Sequence, residues 1–232
     1  MNHIKIEFTN ERIVPAKLPN GYVPVDIDVT PFDNFKIRKE GVSRTYKGYD
    51  GYAPIMAYIG TEGYLVNAQL REGKQHCQCG TPAFLRETIA LCRQITDEPL
   101  LIRLDTGNDS AENIGILLES GCYFIIKRNL RRESKDGWFE MAKANSQNIT
   151  IPREGKTVYT GSDWKPVTYT TEDGVEKNVT IRTGYEIIER TEACICECIF
   201  SICRFPAINP NSLTEISYPF QGGNMLVYVF LQ

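Results

Sequence analysis

Tyr22-Val-Pro-Val-Asp-Ile-Asp-Val-Thr30 alternates apolar with polar residues and is rich in valine and isoleucine. That period of two predicts a β-strand with one face buried. A second strongly apolar run, Leu100-Leu-Ile-Arg-Leu-Asp105, predicts another strand, and both end in an aspartate. Between them lie a polar, glycine-bearing stretch from Pro31 to Tyr52 and two short strands, Pro54 to Ile59 and Tyr64 to Leu70. Gly60-Thr-Glu-Gly63 is a good hairpin connection for those two. Thr81 to Ile95 reads as a helix with Phe84, Leu85, Ile89, Leu91 and Cys92 on its apolar face. Thr81-Pro82 supplies its N-cap with proline at the first helical position. Asp109 to Glu119 reads as a second helix, capped by Asp109 or Ser110 and closed by Gly121, and Cys122 to Lys127 as a buried strand. Three consecutive strands, then strands joined through helices, define an α/β chain: a mixed sheet with helices on its faces.

The character changes at Trp138. Val158 to Tyr169 and Val175 to Ile188 read as strands around the turn Glu172-Asp-Gly174, with no helix of useful length. Trp138 and Trp164 are expected to pack within this β-rich part. A second shift falls near Ala193, after which only Glu197, Arg204 and Glu215 are charged. The expected divisions are an N-terminal extension (1–21), a core (22–137), a β-rich insertion subdomain (138–192) and a divergent C-terminal tail (193–232).

Composition narrows the function. The 232 residues carry a formal charge of only −3, without the cationic excess of a free-standing nucleic-acid binder. Residues 1–15 are polar and mixed, with no signal-peptide apolar region, and the apolar run Met225 to Leu231 is too short to span a bilayer. These features lead us to expect a cytoplasmic protein without a membrane partner. Its eight cysteines then read as reduced thiols. His76, Cys77 and Cys79 share one loop, but no second ligand pair stands near in sequence, so incidental thiols are favoured over zinc. The alternating Cys194, Cys196 and Cys198 are read as apolar packing. With only His3 and His76 present, a histidine-based hydrolase is not expected.

The chemistry rests on Asp28 and Asp105. Each sits at the C-terminal end of an apolar strand, and if the strands are neighbours the carboxylates lie side by side. Such a pair repels unless a cation stands between, and hard oxygen ligands select Mg²⁺ or Mn²⁺. Two such ions suit phosphodiester chemistry. Asp26 shares the strand face of Asp28 and is the alternative for its role. Lys127, Arg128, Arg131 and Arg132 form a basic cluster after the last core strand, read either as phosphate-neutralising or as a solvated turn. Lys36, Arg38, Lys39, Arg44 and Lys47 form a second one near the end of the Asp28 strand.

From about Val25 to about Arg132 the sequence resembles the DDE transposases of bacterial insertion sequences. Asp28-Val-Thr30 resembles the family's first Asp-x-Thr motif. Tyr46-Lys-Gly-Tyr-Asp-Gly-Tyr-Ala-Pro-Ile55 resembles the segment that follows it. Leu70-Arg-Glu-Gly73 resembles Leu-Arg-x-Gly, Arg103-Leu-Asp-Thr-Gly107 resembles the motif carrying the second aspartate, and Phe124-Ile-Ile-Lys127 the next strand. Five motifs in order make a specific signal. The resemblance implies an RNase-H-like core, Asp28 and Asp105 as catalytic Mg²⁺ or Mn²⁺ ligands, and transposon-end DNA as partner, with homo-oligomers compatible. It implies metal-dependent DNA cleavage and strand transfer in transposition. The family's third carboxylate, a glutamate on a helix past the insertion, is not identifiable after Ile188, and the resemblance stops near Thr191. We therefore expect a shortened catalytic domain, inactive by itself. The alternatives are a non-catalytic DNA-binding or oligomerising remnant, and a nuclease that completes its site with Glu62, Glu112 or Asp109.

Overall fold

Strand β1 (Val23–Val29) buries Val23, Pro24, Val25, Ile27 and Val29, while Asp26 and Asp28 on its other parity stay half-buried. After it come three short strands, β2 (Phe32–Asp33), β3 (Ser43–Arg44) and β4 (Asp50–Tyr52). They form their own small sheet in the order β2-β4-β3, built within the stretch that reads as polar and irregular. Next are β5 (Ile55–Ile59), β6 (Tyr64–Gln69), helix α1 (Thr81–Ile95), β7 (Leu100–Leu104), helix α2 (Ala111–Glu119) and β8 (Tyr123–Lys127). The computed structural model describes residues 13–34, 36–130 and 133–190 in full, and residues 191–192, 195–205, 215–216 and 229–230 by their backbone.

Two compact units divide the chain, residues 1–124 with 169–175, and residues 125–168 with 176–232. In the first, β1 pairs antiparallel with β5 and parallel with β7, and β6 joins the outer side of β5. There the strand order β6-β5-β1-β7 is three antiparallel strands followed by one reached through a helix. That is the RNase-H-like arrangement, a mixed α/β sheet with flanking helices.

Helix α1 buries Thr81, Phe84, Leu85, Thr88, Ile89 and Cys92, the three-and-four spacing of one helical face. Its N-cap is Gly80 in the left-handed region at φ 77°, which corrects the reading of Thr81 as the cap. The Thr81 hydroxyl instead donates to the Cys77 carbonyl, so it is committed to the preceding loop. Helix α2 begins as expected from Ser110, whose hydroxyl accepts from Asn113 N at 3.2 Å. It ends at Gly121, where Cys122 N returns to Leu117 O at 3.0 Å.

In the second unit, β9 (Asn148–Arg153), β10 (Lys156–Thr170), β11 (Glu176–Glu192) and β12 (Ile195–Phe205) run in the order β12-β11-β10-β9. The expected turn Glu172-Asp-Gly174 joins β10 to β11. Strand β12 pairs with β11 from Glu192↔Ile195 to Arg182↔Phe205. Helix α3 (Lys135–Asn145) overturns the expectation of no helix past Trp138. Ser134 caps it, accepting from Gly137 N at 3.1 Å. Its apolar stripe of Trp138, Phe139, Met141 and Ala142 packs on Tyr159, Tyr185 and Ile187. Trp138 thus packs as expected, whereas Trp164 is 46% exposed and takes no part in a core. Residues 193–194 and most of 206–232 fall outside the described residues, and with them the side chains of the late cysteines and of Glu215.

Candidate active site

Directly paired residues of parallel strands send their side chains to the same side of the sheet. The register Asp26↔Arg103 and Ile27↔Leu104 therefore carries one step further to Asp28 opposite Asp105, on strands about 4.8 Å apart. The two sequence-predicted ligands thus meet at the C-terminal edge of β1 and β7. Burial, and then the negative charge of Asp105, push the Asp28 carboxyl above its ordinary value. The Val29 amide, the Thr30 hydroxyl (3.4 Å from Asp28 Oδ2) and Lys47 act in the opposite direction.

Asp105 has a second task. Its Oδ1 accepts from Gly107 N at 3.1 Å and from Asn108 Nδ2 at 2.9 Å, capping a single 3₁₀ turn over Thr106–Asn108. Behind it, fully buried Asn113 donates through Nδ2 to Asn108 O at 2.9 Å. The turn cap engages Oδ1 of this side chain.

Asp26 is occupied elsewhere. Its carboxylate takes a two-pronged ion pair from Arg103, Nε to Oδ1 and Nη2 to Oδ2. Glu62 accepts from Ala16 N at 3.0 and 3.1 Å beyond the end of β5. Because Ile59 pairs with Val25 and Met56 with Asp28, Glu62 belongs to the opposite edge of the sheet. Among the described residues no group of three or more His, Cys, Asp or Glu can hold a metal ion. Glu62, Glu112 and Asp109 therefore do not complete the site.

Residues that sequence reasoning did not single out surround the pair. The Tyr46 side chain is 69% exposed, and its hydroxyl donates to Val29 O at 3.4 Å. Its phenol is pushed up by burial and then by the charges of Asp28 and Asp105. The signal was available in the Tyr46-Lys-Gly48 segment. Of the second basic stretch, Lys36, Arg38, Lys39 and Arg44 line an open cleft of about 810 Å³ together with Glu40 and Asp50, and Arg44 reaches Asp50 at 3.7 Å. A narrower groove of about 340 Å³ lies between α2 and residues 169–173 and contains neither aspartate. In the second unit, Arg128 is ion-paired with Glu133, which also accepts from Trp138 Nε1 at 2.6 Å. That network holds α3. Lys127 ends β8, and Arg131 and Arg132 lie outside the described residues.

A family model described as "Transposase DDE domain group 1" matches residues 2–168. The chain belongs to that family. A cryo-EM structure of the piggyBac transposase synaptic complex with hairpin DNA matches with a TM-score of 0.43 and 13% identity, over 83% of this chain and 34% of that one. The chain thus spans about a third of that transposase's length. No curated protein matches. Among the described residues no helix is long and apolar enough to cross a membrane.

Proposed function

We propose that the chain carries a DDE catalytic domain for metal-dependent cleavage and joining of DNA strands, with Asp28 and Asp105 as two of its carboxylate ligands. The observation that carries this reading is the parallel register of β1 and β7, which brings two half-buried acids to one sheet edge. The donor set fits a hard cation: two carboxylates repel one another there, and Mg²⁺ or Mn²⁺ between them removes the repulsion. When bound, such an ion supplies charge stabilisation at the phosphoryl oxygens of a transferring phosphodiester.

The rest is done by this chain's own residues. The Asp105 turn and the buried Asn108–Asn113 contact fix the orientation of one carboxylate. The Thr30 hydroxyl and Lys47 favour the charged form of the other. Lys36, Arg38, Lys39 and Arg44 line a cleft that offers cations to backbone phosphates. DNA is accordingly the proposed partner, through phosphate contacts that position it without reading sequence.

Only two of the three expected carboxylates come together among the described residues. We therefore expect the chain alone to bind Mn²⁺ but not to join strands. Oligonucleotide ends incubated with the protein and Mn²⁺ test this. Absence of strand-transfer product is the expected result; product that disappears in Asp28→Ala would show a complete site. Mn²⁺ affinity equal in the wild type, Asp28→Ala and Asp105→Ala would refute the assignment of the ligands.

A further inference from the structure

We propose that Cys77 is a positioning residue for Asp105, acting through Gly107. This inference rests on the reading of Asp28 and Asp105 as metal ligands and extends it to the loop between β6 and α1. The Cys77 thiol donates to Gly107 O at 3.1 Å, and Gly107 N donates to Asp105 Oδ1 at 3.1 Å. One peptide unit on each side of Gly107 therefore joins the sulfur to the carboxylate.

The fit is close. A Cβ on Gly107 would stand 2.8 Å from Cys77 Sγ and 3.3 Å from Asp105 Oδ1. The first distance is far inside van der Waals contact. Glycine in the Asp-Thr-Gly motif is thus explained by the Cys77 thiol, which stands where a Cβ would go.

Cys77 is itself anchored from behind. Its carbonyl accepts from Arg71 Nη1 at 3.2 Å and from the Thr81 hydroxyl at 2.5 Å. Arg71 is only 3% exposed, Thr81 is fully buried, and Arg71 Nε donates to Gln69 Oε1 at 2.9 Å. The arginine of the Leu-Arg-x-Gly motif therefore ties the end of β6 to the first turn of α1 and holds Cys77 against the Asp105 turn. Cys79, two residues on, is exposed.

A buried partner that orients a ligand typically changes metal affinity by about 10–100-fold when removed. The test is Mn²⁺ binding to the full chain, followed by electron paramagnetic resonance, with folding checked by circular dichroism. Cys77→Ala and Cys77→Val, which lack a donor, are expected to weaken Mn²⁺ about tenfold or more. Cys77→Ser, which keeps an O–H donor for Gly107 O, is expected to stay near the wild type, as is Cys79→Ser. Gly107→Ala, which displaces the thiol, is expected to weaken binding like Cys77→Ala, and it decides the question if the Cys77 variants do not fold. Wild-type affinity in Cys77→Ala, Cys77→Val or Gly107→Ala, while Asp105→Asn loses the ion, overturns the role of Cys77 alone. Retention of Mn²⁺ in Asp28→Asn and Asp105→Asn overturns the metal-site reading beneath it.

Discussion

Arg103 on β7 grips both oxygens of Asp26 on β1, one strand period short of the edge where Asp28 meets Asp105. The ion pair is largely shielded from water, with side chains 17% and 32% exposed. It engages both oxygens of Asp26 and ties together the strands that align the two proposed ligands, Asp28 and Asp105. Breaking it with Asp26→Asn is expected to cost about 1.5–3 kcal/mol, the range of a hydrogen bond to a charged group. Urea unfolding measures that cost, and Mn²⁺ affinity should change far less than in Asp28→Asn. A loss of Mn²⁺ equal to that of Asp28→Asn would return Asp26 to the ligand set.

Without metal, Asp28 is a burden on the folded state. Burial and Asp105 raise its native-state value, so the folded protein holds the proton more tightly than the unfolded chain. The stability this contributes is complete below the unfolded value of about 3.9 and is lost as pH rises through the folded value. Asp28→Asn should therefore be more stable than the wild type near neutral pH in EDTA, with the advantage vanishing in acid. Melting temperatures across that pH range would show it; an advantage that persists unchanged into acid would point to some other cause.

Tyr169, at the end of β10, stands where a side chain on Gly115 of α2 would go: a Cβ there would lie 2.4 Å from its ring. Its hydroxyl donates to Glu119 Oε1 at 2.6 Å, and burial together with that carboxylate pushes the phenol up to about 12. Gly115→Ala should destabilise the protein by about 1–3 kcal/mol through overpacking. In a Tyr169→Ala background the same change should become neutral or stabilise by about 0.5–1 kcal/mol, since alanine is the better helix former. Equal costs in both backgrounds would contradict the contact.

Neutralising Lys36 or Lys39 should weaken DNA binding almost uniformly across sequences and lower the slope of log affinity against log salt by about 1 each. Filter binding at several salt concentrations measures this. An unchanged slope would place the phosphates elsewhere.

The sheet was legible because β1, β5, β6 and β7 follow simple apolar patterns, and the two aspartates because each ends such a run. Helix α3 was not, since Gly137 interrupts its first turn and only four residues, Trp138, Phe139, Met141 and Ala142, make its apolar stripe. The small β2-β4-β3 sheet is held by strands of two or three residues, too short to show a period. Gly80 took the cap that Thr81 was expected to fill because the Thr81 hydroxyl and Arg71 both bind the Cys77 carbonyl. The supports of Asp105, namely Asn108, Asn113 and Cys77, are likewise contacts between separate segments, which no local pattern announces.

The most direct measurement is a crystal of this protein soaked in Mn²⁺ and examined by anomalous scattering. An anomalous peak shared by the carboxylates of Asp28 and Asp105 is the expected result. No peak at that sheet edge, with Mn²⁺ bound elsewhere or nowhere, would leave two neighbouring strand ends with no catalytic use.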